Sequence, residues 1–189
     1  MSTFNRDNAW NILNDHMKTP YLIKHSLAAE AAMQGLAKHF GNDQEMWGIV
    51  GLLHDADYEV TKDSIIDHTE KTAEWLKEAG ADENIVSAIR SHAYAHTGKN
   101  PPQTQMEWAI FCCDELTGLI VAAALVTPDK KLASLTVESV IKRFKSPSFA
   151  AKVNRESIGM CEKELGIKLS QFIEIVLDSM KNISSELGL

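Results

Sequence analysis

Residues 51–59 read Gly51-Leu52-Leu53-His54-Asp55-Ala56-Asp57-Tyr58-Glu59. A run of apolar helix formers closes on an adjacent histidine and aspartate, and two further acids follow. An imidazole nitrogen beside a carboxylate at the end of a buried helix supplies half of a divalent-cation site. The doublet alone fits an ordinary helix end as well, with His54 hydrogen-bonded in the core and Asp55 capping the next segment. The rest of the chain decides between the two.

Outward from the doublet the periodicity is helical, and no period-2 alternation marks a strand. The expected fold is all-α, a bundle of about seven to nine helices. A first helix is expected from about Asp7 to His16, with Trp10 and Leu13 on one face. Thr19-Pro20 reads as an N-cap and a first-turn proline, opening a helix that stops at Gly41. On that helix His25 shares the stripe of Leu22, Ala29, Met33 and Leu36. A third helix, from about Gln44 to Leu53, delivers the doublet, and Val60 to Ile66 reads as a polar connection.

Asp67-His68-Thr69-Glu70 reads as a capping box, which places His68 in the first turn of the helix that follows. Asp82 caps a helix on which Ile85, Ala88, Ile89 and His92 share a face, with His96 one turn further on. After a loop from Thr97 to Thr104, the stretch from Gln105 to Val126 is apolar on nearly all sides and reads as a buried central helix. It carries Asp114. A carboxylate buried mid-helix costs several kcal/mol unless it is paired or metal-bound, and no Lys or Arg lies within one turn of it. His25, His54 and Asp55 are the partners a shared metal would recruit.

With 189 residues the chain suits one domain, read as a core over 1–127 and a C-terminal helical extension over 128–189 packed on it. The formal net charge of −7 argues against general nucleic-acid binding, while bound cations keep nucleotide substrates open. MSTFNRDNAW has no signal-peptide layout, and the longest apolar run, Leu116 to Val126, is too short to span a bilayer. Cys112, Cys113 and Cys161 form no CxxC pair and read as small core residues. The expected setting is a reducing cytoplasm without membrane association, and the oligomeric state stays open.

The order His25, His54-Asp55, His68, His92, Asp114 resembles the HD superfamily of metal-dependent phosphohydrolases. Within it, the wording is similar to a group of small bacterial proteins described as predicted HD hydrolases. The matching phrases are Leu22-Ile23-Lys24-His25-Ser26-Leu27-Ala28, Leu52 to Glu59, and Phe144-Lys145-Ser146-Pro147-Ser148-Phe149-Ala150. The resemblance implies that His25, His54, Asp55 and Asp114 ligate a first metal. It also implies that His68 and His92 bind a second, with Asp55 bridging. In a one-metal alternative those two histidines contact phosphate or protonate the leaving oxygen. Two ions are favoured, from Fe, Mn, Zn or Co, with Mg also admissible.

The implied reaction is hydrolysis of a small phosphorylated substrate, a nucleotide or related phosphoester, by metal-activated hydroxide. A di-iron oxygenase and a non-catalytic ligand-sensing module are the rivals. Asp57 and Glu59 are candidates to orient water or accept a proton, or else are solvated loop acids. His96 is a candidate further ligand or substrate contact. The basic segment beyond Pro128 offers Lys142, Arg143, Lys145 and Arg155 as a phosphate clamp, against the plainer reading of a solvated face. Ala56-Asp57 stands where better-known relatives have Ile-Gly. The Gly-Tyr-Pro signature of HD cyclic-dinucleotide phosphodiesterases is missing, which argues against a dedicated cyclic-di-GMP enzyme.

Overall fold

The computed structural model describes residues 4–189. Among them no strand occurs, and the all-α expectation is met. The helices are α1 (Arg6–His16), α2 (Pro20–Phe40), α3 (Gln44–Leu53), α4 (Tyr58–Thr61), α5 (Glu70–Glu78) and α6 (Glu83–His92). They continue as α7 (Tyr94–Thr97), α8 (Gln105–Leu125), α9 (Val137–Phe144), α10 (Arg155–Glu164), α11 (Leu169–Asn182) and α12 (Ser184–Leu187). Nine of them run eight residues or longer, and α4, α7 and α12 are single turns.

Two helices of 21 residues, α2 and α8, form the axis of the bundle. Against α2 lie α3, α8 and α11, while α8 is also covered by α6 and α10. Its start is fixed by a capping box between Thr104 and Glu107, and Glu107 further accepts from Gln103 N and Ser87 Oγ. Ala109, Ile110, Leu116, Leu119, Ile120 and Ala123 are fully buried along it. By length and apolarity α8 is sufficient to cross a bilayer, which the run from Leu116 to Val126 understated. Its apolar surface is mostly buried against neighbouring helices, as in a core helix.

Small residues set how closely α3 crosses α2. Ala28, Ala29 and Ala32 are buried on α2, and Gly51 of α3 sits directly on that backbone. A Cβ at Gly51 would lie 2.6 Å from the Ala29 carbonyl carbon and 2.7 Å from the Glu30 nitrogen. Only glycine permits this approach, three residues before His54. At the same point of α2, Arg6 of α1 holds the buried Glu30 with two hydrogen bonds of 2.6 and 2.9 Å.

Several local expectations are corrected. Residues 60–66 are not an open connection, because α4 and a 3-10 turn at Ile65–Asp67 occupy them. Helix α5 starts at Glu70, with Thr69 at its N-cap in a left-handed conformation (φ 75°). Asp67 therefore belongs to the 3-10 turn, where it accepts from Ser64 Oγ at 2.7 Å, and the capping box does not form. Thr19 stands at the N-cap of α2 without a side-chain cap. Residues 137–144 form α9, capped by Thr136 and Ser139, where only a charge run was apparent. The last helix breaks at Ile183 into α11 and α12. Phe172, Val176 and Met180 of α11 are buried in the same apolar cluster as α2 and α8. All three cysteines are buried and unpaired, and burial pushes the Cys161 thiol up to about 12.

Gly51→Ala is expected to cost roughly 2–3 kcal/mol, because backbone rather than a flexible side chain blocks the methyl group. Gly159→Ala, in α10 with nothing within 4 Å of the added carbon, is expected instead to gain about 0.5–1 kcal/mol. Urea unfolding of the two variants checks the contrast.

Candidate metal centre

Five separate segments bring six side chains to one point. His25 comes from the second turn of α2, and His54 and Asp55 from the end of α3. His68 comes from the turn before α5, His92 from the last residue of α6, and Asp114 from the middle of α8. His25 Nε2 lies 3.1 Å from His54 Nε2 and 2.9 Å from Asp114 Oδ1. His68 Nε2 lies 3.2 Å from His92 Nε2. Asp55 stands between the two pairs. Its Oδ2 is 3.7 Å from both His25 and His54, and its Oδ1 is 3.0 Å from His68 and 3.4 Å from His92.

The far side of every ring is engaged. His54 Nδ1 donates to Gly51 O at 2.7 Å, and His92 Nδ1 to Ile89 O at 2.6 Å. Both acceptors are carbonyls of a helix's last turn, which have no partner within the helix. Thus α3 and α6 end on the same device, with the partial negative charge of both C-termini turned toward the site. His25 Nδ1 faces Thr117 Oγ1 at 3.4 Å, and that hydroxyl donates to Asp114 O at 2.8 Å. His68 Nδ1 donates to Asp57 Oδ1 at 2.8 Å.

With the four Nδ1 protons held by acceptors, each Nε2 turns a lone pair inward. Two pairs of lone pairs at about 3 Å repel unless a proton or a cation lies between them. The donor set therefore fits a cation. Three overlapping groups of three ligand atoms lie within 4.8 Å of one another: His25, His54, Asp55; His54, His92, Asp114; and Asp55, His68, His92. Nitrogen and carboxylate donors without thiolate suit Fe, Mn, Zn or Co.

Asp57 is neither a solvated acid nor free to take a proton. It is fully buried and accepts from His68 Nδ1, Thr69 N at 3.1 Å, Thr72 N at 3.2 Å and Thr61 Oγ1 at 3.3 Å. This one carboxylate orients His68 and holds the left-handed Thr69 turn. Despite burial, the His68 contacts and the backbone N–H groups keep its pKa below the usual carboxylate value. Glu59 is likewise occupied: Oε1 accepts from Thr19 N at 2.6 Å and Lys18 N at 3.2 Å, fastening the start of α2 to α4. His96 stays outside the cluster, half exposed, 3.7 Å from Glu115 Oε1.

The expected phosphate clamp does not assemble. All five N–H donors of Arg155 are taken by carbonyls of Phe144, Ser146, Phe149, Ala150 and Val153, so it ties a loop together. Arg143 bonds Ser139 O and covers the Phe149 ring, and Lys142 and Lys145 are exposed on and just after α9. Thr117 and Glu115, which place His25 and His96, were not singled out from sequence. Their signal was polar residues beside Asp114 on an otherwise apolar helix.

Without metal, protons occupy the same positions. Burial opposes the charge on His54, but Asp55 and Asp114 outweigh it and raise the pKa to about 9. Burial also opposes the charge on His68, while hydrogen bonds to Asp55 and Asp57 raise it to about 9. His92 is lowered, by burial and by the neighbouring His54 and His68 charges, against its bond to Asp55. Asp55 and Asp114 are held well below the usual carboxylate range against burial, chiefly by the His54 charge.

The HD-domain family model matches residues 22–138, which contain all six side chains. The chain belongs to the HD-domain family. No curated protein sequence matches it. Among solved structures, the HD domain of the L. monocytogenes phosphodiesterase PgpH aligns over 94% of this chain and 99% of that one, at 18% identity and a TM-score of 0.55. The same domain in complex with cyclic-di-AMP aligns over 91% and 94%, at 17% identity and a TM-score of 0.55. These likenesses are of fold.

Two outcomes are expected. Asp57→Asn places an amide donor among N–H donors, and loss of such an outer partner is expected to weaken metal binding by about 10–100-fold. Metal titration followed by elemental analysis checks it. The raised His54 and His68 values mean that their protonation stabilises the metal-free fold fully below about pH 6.5 and that this stability is lost as pH rises through about 9. Cation binding requires those protons to leave. The Tm of metal-free protein should therefore fall across that range, while the Tm increment on adding Zn or Mn grows.

Proposed function

We propose that the chain is a metal-dependent phosphohydrolase acting on a small phosphorylated substrate, a nucleotide or related phosphoester. The observation that carries this reading is Asp55 set between two histidine pairs, one oxygen toward each. His25, His54, Asp55 and Asp114 would hold one ion, and Asp55, His68 and His92 a second. Divalent cations at such a site supply charge to phosphoryl oxygens and lower the pKa of water. The PgpH phosphodiesterase, similar in fold, indicates which bond class to test first.

The protein's own groups divide the remaining work. Asp57 keeps the proton of His68 on Nδ1, so that Nε2 stays available. Thr117 does the same for His25. In the hydrolysis, a water oxygen bonds to phosphorus, the ester P–O bond breaks, and the departing alcohol oxygen takes a proton. We assign His96 to that last step. Its imidazole stands 3.7 Å from the Glu115 carboxylate, whose negative charge raises its pKa.

The test is elemental analysis of protein purified without chelator, followed by turnover of a panel of phosphomonoesters and phosphodiesters. Asp55→Ala is expected to abolish turnover and most metal content. His68→Ala should keep one equivalent of metal, and His96→Ala should keep the full metal content while losing about 10²-fold in kcat. Full occupancy of two ions in His68→Ala contradicts the two-ion assignment. Absence of turnover across the panel by metal-replete protein overturns the hydrolase reading.

A further inference from the structure

A cavity of about 510 Å³ opens beside the metal centre, between α2, α8 and the chain segment at α12. His25 forms part of its wall, so the cavity begins at a proposed metal ligand. From there it follows one face of α8. Asp114, Gly118, Val121 and Leu125 are spaced four, seven and eleven residues along that helix, and the last three line the cavity. Leu22, Leu187 and Leu189 close the other sides.

The lining is apolar, and its main polar groups are His25 at one end and Lys24 and the Tyr21 hydroxyl at the rim. Tyr21 is 70% exposed and Leu125 is 50% exposed, two large apolar side chains that a bound group would cover. At Gly118 an added Cβ meets nothing within 4 Å, so the floor beside Asp114 is open. Lys24 lies across Gly188 and makes no ion pair with the described residues. Such walls offer few hydrogen bonds to a sugar or to a base edge. They suit a hydrocarbon or aryl group whose anionic end lies at the metal centre, with Lys24 adding positive charge at the rim.

We propose that this cavity receives the alcohol part of the substrate, and that the substrate is a phosphoester of an apolar or aryl alcohol. The proposal rests on the phosphohydrolase reading and, within it, favours an ester of an apolar alcohol over a nucleotide. It is tested by calorimetry on the metal-loaded full chain with two phosphonates that resist hydrolysis, naphthylmethylphosphonate and methylphosphonate. They share the anion and differ in the apolar group, so the first is expected to bind at least about tenfold more tightly. Gly118→Leu fills the cavity and is expected to bring the two affinities within about twofold at unchanged metal content. Leu125→Glu, at the exposed rim where folding is not at stake, is expected to shrink the advantage as well. Equal binding of both phosphonates by the native chain overturns the cavity assignment and leaves the hydrolase reading standing. Binding of neither overturns both. An undiminished preference in both variants places the aryl group elsewhere and also overturns the proposal.

Discussion

Two pairs of imidazole nitrogens, 3.1 and 3.2 Å apart, share one pocket with two carboxylates. Such a set is not at rest by itself. Neutral rings push lone pairs together, and the carboxylates would stand unpaired in a largely buried space, at a cost of several kcal/mol. Positive charge has to enter, as protons or as metal. The bundle is arranged to hold that unfavourable set in place, and this explains features that helix packing alone does not require.

The ligands are fixed by several devices, one of them shared by His54 and His92. Gly51 lets α3 settle on the α2 backbone, and its carbonyl then takes the His54 proton. Glu59 ties the start of α2, and so the helix bearing His25, to the turn that follows the doublet. Asp57 gathers His68, Thr69 and Thr72 on one carboxylate. Its bonds hold Thr69 in a backbone conformation that costs about 1–3 kcal/mol for a residue with a Cβ. Of the acids after the doublet, Asp57 thus bonds a ring of the cluster directly, and Glu59 bonds only backbone at the start of α2.

What sequence makes legible here follows from distance along the chain. Helix positions, the part-buried Asp114 on an apolar helix and the inward stripe of His25 are visible because periodicity and burial cost are local quantities. The family resemblance then groups six residues that no local rule connects. Asp67 and Glu70 have capping-box spacing, which suggests a helix already begun at His68, while the bond from Thr69 N to Asp57, 12 positions away, goes with a start at Glu70. The same limit hides the bonding of Arg155. A charge run looks the same whether its guanidinium is free or saturated by five carbonyls, and only the loop's return fold decides. Helix α9 was hidden by the same basic residues, which mask Val137, Val140 and Ile141 as an apolar face.

The withdrawal of Arg155 and Arg143 from the site changes the electrostatics of recognition. A net charge of −7 repels anions at long range, and the guanidinium groups that usually clamp phosphates bidentately are bound to backbone and an aromatic ring. On the phosphohydrolase reading proposed above, compensation for phosphate charge falls to the metal centre, with Lys24 on the adjoining cavity wall. A single phosphoester brings little charge, and it must draw further affinity from a term that charge does not oppose. Burial of hydrocarbon is such a term, and an apolar cavity starting at His25 is where it becomes available.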